Sequence, residues 1–438
     1  MKSTAPLLAL LCASCFSFVE DTERELGLDT PEQFGNLAED AATAPPSERF
    51  WEEFGSEELN QLVEQALANN RQLLAAVARR DAAAANAVIA GADLLPSVAA
   101  SLDAARQRQV FVGLPIPGAG PVTSQTFTNY QASLSISWEL DIWGRIRAGD
   151  LAANADLEAT QADLTALRLS IAGRTIQSFF RVIEAKERLE LVQAQAATLR
   201  QTESRVDRRF RTGVRPAFDL RSTRTDRETA EAQIHAAARA LDNARRELQV
   251  LLGEYPDADV VEEETLPPIP PGLPSVLPGE LLSRRPDLVA AERRLAAADA
   301  RGGEARAARL PALTLGATGG TASEDFEDLF DPDFKFWSLT GGLLAPIFQG
   351  GRLEAQVAAR DAERSAAWAD WSQAALIAYS EVEIAYASSQ TLLLELERRD
   401  TAAVESLAAS ELADQRYARG LVDIVTVLDS RRRSLQAQ

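Results

Sequence analysis

The sequence predicts a mainly α-helical chain with a membrane β-barrel component: long coiled-coil helices and four transmembrane strands per chain. Three observations carry this reading. Two proline-free spans, Arg145 to Gly213 and Arg352 to Gly420, each place a glycine 68 residues after an arginine, and both are rich in good helix formers. From Asn129 to Ile142, polar and apolar residues alternate without a break, the period of a two-faced strand. The pattern also occurs twice: LLAAV at Leu73 and LPSVAASL at Leu95 return as LVAAE at Leu288 and LPALTLGA at Leu310, both at an offset of 215.

In chain order, Lys2 and the apolar run PLLALLCASCF make residues 1–15 a secretory signal, too short to span a bilayer as a helix. Within it, CASC resembles a bacterial lipobox, although Cys12 stands where Leu is usual; Cys15 is therefore the expected lipidation site. Residues 16–49 form an acidic N-terminal segment, and 20–64 hold 14 acidic against 2 basic residues.

The first repeat, 50–254, is expected to run helix, β-hairpin, long helix and return helix. Its first strand sets Val98, Ala100 and Leu102 opposite Ser97, Ser101 and Asp103. The loop FVGLPIPGAGPVTS leads to the second strand, whose apolar positions are Tyr130, Ala132, Leu134, Ile136, Trp138, Leu140 and Ile142. That alternation exceeds the roughly 9 to 11 residues a tilted membrane strand needs. Phe127 and Tyr130 near one end, Trp138 and Trp143 near the other, and Trp337 in the second hairpin suit the two aromatic girdles of a membrane barrel.

In the long helix that follows, Leu157, Leu164, Ile171, Val192, Leu199 and Val206 lie on one seven-residue frame, with Ser178 and Ala185 in its remaining places. Residues 255–282 are a linker; Pro267, Pro268, Pro270, Pro271 and Pro274 exclude a continuous helix. The second repeat, 283–438, has a hairpin with Leu313, Leu315 and Ala317 on one strand and Trp337, Leu339, Leu343 and Ala345 on the other, joined by SEDFEDLFDPD. In its long helix Tyr379, Tyr386 and Leu393 keep seven-residue spacing, with Val382 and Leu396 three further on. This repeat is expected to be shortened at its C-terminus, either as a truncated product or by a short last helix, since 40 residues separate Gly213 from Gly253 but only 18 follow Gly420.

Four strands cannot close a barrel, and lipid does not tolerate an open edge. Two chains would give eight strands with a filled interior, and three would give twelve with a lumen.

Composition excludes other classes. With Lys+Arg 45 against Asp+Glu 65 the net charge is −20, which disfavours nucleic acid. His235 is the single histidine, and both cysteines fall within the first 15 residues, so a catalytic triad, a multi-His or Cys-cluster metal site and a disulfide framework have nothing to be built from. No phosphate-binding glycine motif appears, and neither a cofactor nor enzymatic activity is expected.

The segments WEEFGSEELNQLVEQALANN at 51–70, WELDIWGRIR at 138–147, SRRPDLVAAERRLAAADARGGEARAARLPALTL at 283–315 and RYARGLVDIVTVLDSRRRSLQAQ at 416–438 resemble the TolC-like outer-membrane factors, in the efflux-associated lipoprotein (NodT-type) branch. The resemblance covers about 50–438. It implies a homotrimer forming one 12-stranded outer-membrane barrel above a long periplasmic helical tunnel. It further implies a passive efflux conduit, engaged by a periplasmic adaptor and an inner-membrane transporter of the RND type. A type I protein-secretion channel and a non-conducting structural coiled coil are the alternatives. Resemblance and repeat geometry together put FRTGVRP and YARGLVD at the helix tips, where Phe210, Arg211, Gly213, Val214, Arg215, Tyr417, Arg419, Gly420, Leu421 and Val422 are the expected adaptor contacts. VLD at 427–429 matches the family segment whose aspartates narrow the tunnel, which makes Asp429 the leading pore-constriction residue and Asp219 the second.

Overall fold

The computed structural model describes residues 31, 33–35, 49–112, 122–261, 265–270 and 277–437; the signal 1–15, Cys15 and most of the acidic segment lie outside the described residues. In chain order the elements are α1 (Glu57–Asn69), α2 (Arg71–Ala92), β1 (Ser97–Val112), β2 (Val122–Leu140), α3 (Arg145–Arg211), α4 (Ala217–Leu252), α5 (Pro278–Arg284), α6 (Pro286–Ala307), β3 (Ala312–Ser323), β4 (Lys335–Leu344), α7 (Arg352–Ala418) and α8 (Ile424–Ala437). No described helix is long and apolar enough to cross a membrane.

The chain divides into two compact units, each assembled from both halves of the sequence. One contains residues 79–162 and 289–373 and carries a four-stranded antiparallel sheet in the order β1-β2-β3-β4. β2 begins seven residues before the alternating run and stops at Leu140. The strand ends there because Ile142 N–H turns back to the Leu140 carbonyl and Gly144 takes a positive φ of 75°. Trp143 is therefore off the strand, with its indole N–H on the Pro311 carbonyl at 2.8 Å. Asp141 caps α3 by accepting from Ile146 N–H and Arg147 N–H at 3.0 and 2.9 Å. Burial alone would raise the Asp141 carboxyl, but these two bonds and the Arg147 guanidinium hold it below the ordinary carboxylate range. Around the helices of this unit Ala152, Ala155, Ala159, Ala297 and Ala300 are buried, and the small side chains let backbones approach. Arg293 and Arg301 of α6 reach Glu158 and Asp156 of α3, while Arg306 pairs with Asp361 and Arg364 with Asp299.

The second unit, with residues 29–78, 163–288 and 374–438, holds two apolar cores. In the first, Leu59, Leu62 and Val63 of α1 pack with Ile171, Phe179, Val182 and Ile183 of α3 and with Leu241, Leu248 and Leu252 of α4. Gly253 ends α4 at φ 76°, and an added Cβ would lie 2.5 Å from the Asn69 carbonyl oxygen, so two separate constraints demand glycine there. In the second core Leu199 and Val206 of α3 and Leu220 of α4 meet Ala413 and Tyr417 of α7 and Ile424, Val427 and Leu428 of α8.

The heptad frame of α3 is packed: Ile171, Ser178, Ala185, Val192, Leu199 and Val206 are all buried. The frame of α7 holds at Tyr386, which is buried, but Leu393 and Leu396 are exposed. α4 runs back beside α3 for 36 residues, and the described part of α8 runs back beside α7 for 14, about 21 Å at about 1.5 Å per residue.

Candidate functional site

The sheet register sorts side chains into two faces. One row joins Ala100, Leu134, Gly319 and Trp337, and the next on that face joins Val98, Ile136, Ala317 and Leu339. Leu102 with Ala132, and Trp138 with Leu315 and Gly341, continue the same face. The opposite face carries Ala99, Ser135, Thr318 and Ser338, then Ser97, Ser137, Gly316 and Thr340. Val98, Leu102, Leu134, Trp337, Leu339 and Leu343 are exposed within the single chain, so a broad apolar surface faces outward beside a hydroxyl-rich one. That combination is what a wall between lipid and water requires.

Of the expected girdle residues, Tyr130, Trp138 and Trp337 lie on the apolar face. Tyr130 meets Phe326 edge-on with ring centroids 5.6 Å apart, and the Trp138 indole N–H donates to the Leu94 carbonyl at 3.0 Å. Phe127 does not share this face: an odd position in β2, it pairs with Gln107 on the hydroxyl-rich side. Trp143 leaves the sheet altogether, as described above. Among the described residues β1 pairs only with β2 and β4 only with β3, so neither outer edge of the sheet has a partner strand there.

The two helix tips of the second unit are built alike. After α3, Gly213 N–H bonds to the Phe210 carbonyl and Val214 N–H to that of Arg209; after α7, Gly420 N–H bonds to Tyr417 and Leu421 N–H to Arg416. Both glycines sit at φ 73°, the left-handed residue that closes this double hydrogen-bond cap. Phe210, Val214 and Leu421 are exposed at the turns, together with Phe218, which sequence reasoning did not single out. Arg211 pairs with Asp207 at 2.7 Å; Arg419 is exposed; Val422 packs partly against the second core. Tyr417 is buried, with the Arg209 and Arg215 guanidinium carbons 5.3 and 5.0 Å from its ring centroid, two cation–π contacts that join the two tips.

Asp219 is buried 3.7 Å from Arg215, in the first turn of α4. Asp429 is half exposed on α8 and pairs with Arg433 at 2.9 Å. A residue missed in the sequence is Arg431: its guanidinium bonds Asp414 of α7 at 2.7 and 2.8 Å and the Thr202 hydroxyl of α3 at 2.7 Å, tying three helices together. The signal was its phase, since Ile424, Val427, Leu428 and Ser434 are buried at helical spacing around it. Among the described residues, no group of three His, Cys, Asp or Glu could hold a metal ion.

Comparison with known proteins agrees with this construction. The family model described as outer membrane efflux protein matches residues 62–254 and 277–438. The pyoverdine export outer membrane protein OpmQ of Pseudomonas putida is 34% identical over 428 residues, covering 95% of this chain and 88% of that protein. The crystal structure of a membrane protein from Pseudomonas aeruginosa superposes with a TM-score of 0.86 at 30% identity, over 96% of this chain and 94% of that one. The outer-membrane channel OprN gives 0.82 at 28% identity, over 95% and 93%. With its two-faced sheet, its paired long helices and these similarities over nearly its whole length, the chain belongs to the outer membrane efflux protein family.

Proposed function

We propose that three copies of this chain join their sheets edge to edge into one twelve-stranded barrel and act as a passive conduit for small molecules from the periplasm to the exterior. The observation that carries the reading is the sheet, with one apolar face, one hydroxyl-rich face and two unpaired edges. Lipid forbids unpaired edges, so β1 of one copy pairs with β4 of the next. Twelve strands leave a lumen, whereas eight would be filled by side chains. As an outer-membrane efflux component the chain works with a pump in the inner membrane, here of the RND type, through a periplasmic adaptor. The exposed Phe210, Val214 and Leu421 at the two tips supply the adaptor's apolar contact, and Arg211 and Arg419 its charged rim.

Asp429, exposed on α8, is the constriction residue of choice; three copies around the trimer axis favour cations. Asp219 is the weaker candidate, because it is buried against Arg215. Cysteines introduced singly and in pairs along β1 (Ala99, Ser101) and β4 (Ser338, Thr340) test closure in membranes. Disulfide-linked dimers and trimers that need one cysteine on each edge are expected. Cross-links absent from every pair, with the protein still in the membrane, would rule out this arrangement.

A further inference from the structure

Two arginines stand on the wrong face of the sheet. In β1 the apolar side is made of even positions, Val98, Ala100, Leu102 and Ala104, and the next two even positions are Arg106 and Arg108. Their register partners are Thr128 and Thr126, just past Tyr130, which pairs with Ala104. From Leu140 to Tyr130, β2 rises about 34 Å along the strand, or about 26 Å in height at a tilt of about 40°, which matches the apolar band of an outer-membrane barrel. Arg106 and Arg108 therefore stand immediately beyond the outer aromatic residue, at headgroup level, on the lipid side.

Both side chains are exposed, and among the described residues neither has a carboxylate partner; the Arg108 guanidinium donates to the Ser124 hydroxyl at 2.8 Å, on the same face. Residues 113–121 that follow, GLPIPGAGP, contain no acid that could neutralise them. On β1 the lumen-side positions at this level, Ala105, Gln107 and Gln109, are uncharged, so on this strand the positive charge stands on the lipid-facing side; Asp325, Glu327 and Asp328 of the loop after β3, whose Phe326 meets Tyr130, form no ion pair with either arginine among the described residues. A charge on that face is costly at mid-membrane but nearly free at the interface, where it can meet an anion. Two guanidiniums two residues apart lie about 7 Å from each other along the strand, each able to hold a phosphate in bidentate fashion.

Resting on the barrel reading above, we propose that Arg106 and Arg108 form a binding site for the phosphate groups of an outer-leaflet lipid. Sheet closure would set β4 of the neighbouring copy beside β1, and Lys335 at the outer end of β4 shares the parity of Trp337, so the seam would gain a third cation on the same face.

The test uses the full-length protein reconstituted in phosphatidylcholine vesicles with and without diphosphoryl lipid A. Bound lipid A is measured after purification in detergent, alongside single-channel conductance. The Arg106→Gln/Arg108→Gln variant should insert and conduct as the parent does but bind the lipid roughly twenty-five-fold more weakly, about fivefold per arginine. Arg106→Lys/Arg108→Lys should keep part of the affinity. The lumen-side control Gln107→Ala/Gln109→Ala should bind as the parent does. Equal lipid binding by parent and double Gln variant, with both conducting, would overturn the site while leaving the barrel intact. Inorganic phosphate that competes as well as the lipid would overturn the lipid assignment. A parent chain that fails to enter the vesicles would remove the barrel reading and this site with it.

Discussion

The two helical hairpins of the second unit begin from nearly the same design and end differently. Both long helices have 67 residues, and both close on a glycine at φ 73° with the same pair of backbone bonds. Yet α3 buries its seven-residue stripe from Ile171 to Val206, while α7 leaves Leu392, Leu393, Leu394, Leu396, Val404 and Leu407 exposed. An apolar frame is therefore only an offer of packing, and burial depends on what the described residues place beside it.

The largest contrast is expected in core truncation. Phe179→Ala removes a fully buried ring from the covered side and should destabilise by about 3–5 kcal/mol, whereas Leu393→Ala on the uncovered side should stay within about 0.5 kcal/mol in the isolated protomer. Denaturant unfolding of both variants measures this, and equal losses would break the comparison. The Arg431 tie should come next. Arg431→Met strands Asp414 and Thr202 and should cost about 1–3 kcal/mol, while Arg433→Met, at a 76% exposed side chain, should cost less than about 0.5 kcal/mol. The same unfolding experiment reads both.

The tips themselves should behave as equals. Gly213→Ala and Gly420→Ala each force a Cβ into the left-handed region and should each cost about 1 kcal/mol; nothing lies within 4 Å of either added Cβ, so backbone strain is the whole effect. A large difference between the two would show that one tip is held by contacts the other lacks. The smallest effect concerns pH. Asp423 accepts from the backbone N–H and hydroxyl of Thr426, and these bonds hold its carboxyl below the ordinary range, whereas α4 starts at Pro216 with no side-chain cap. A lowered folded-state value means the cap contributes fully above about pH 4, the unfolded value, and is lost as pH falls through the lowered one. The protection factor of the Thr426 amide, corrected for the intrinsic slowing of exchange in acid, should therefore fall at acid pH, with no matching fall at the amide of Asp219. Asp423→Asn, which cannot titrate, should remove that dependence.

Much of this was legible in the residues. Strict alternation from Asn129 fixed which side chains share a face, and equal Arg-to-Gly spacing fixed two equal helices. The parity that places Tyr130 with Leu134 also places Phe127 opposite, so aromatic identity alone was a poorer guide than position. Trp143 lies beyond the end of β2 although alternation continues in the sequence, because Gly144 and the Leu140 carbonyl turn the backbone there. Arg431 stands in a run of three arginines, and only the helical phase of Val427, Leu428 and Ser434 marks it as inward.

Single-channel recording of the purified protein in planar bilayers reads the proposed water-filled trimer directly. Discrete conductance steps with cation preference are expected, weakened when Asp429 is changed to Ala. Membrane-inserted trimer that never conducts, even when adaptor and pump are supplied, would contradict it.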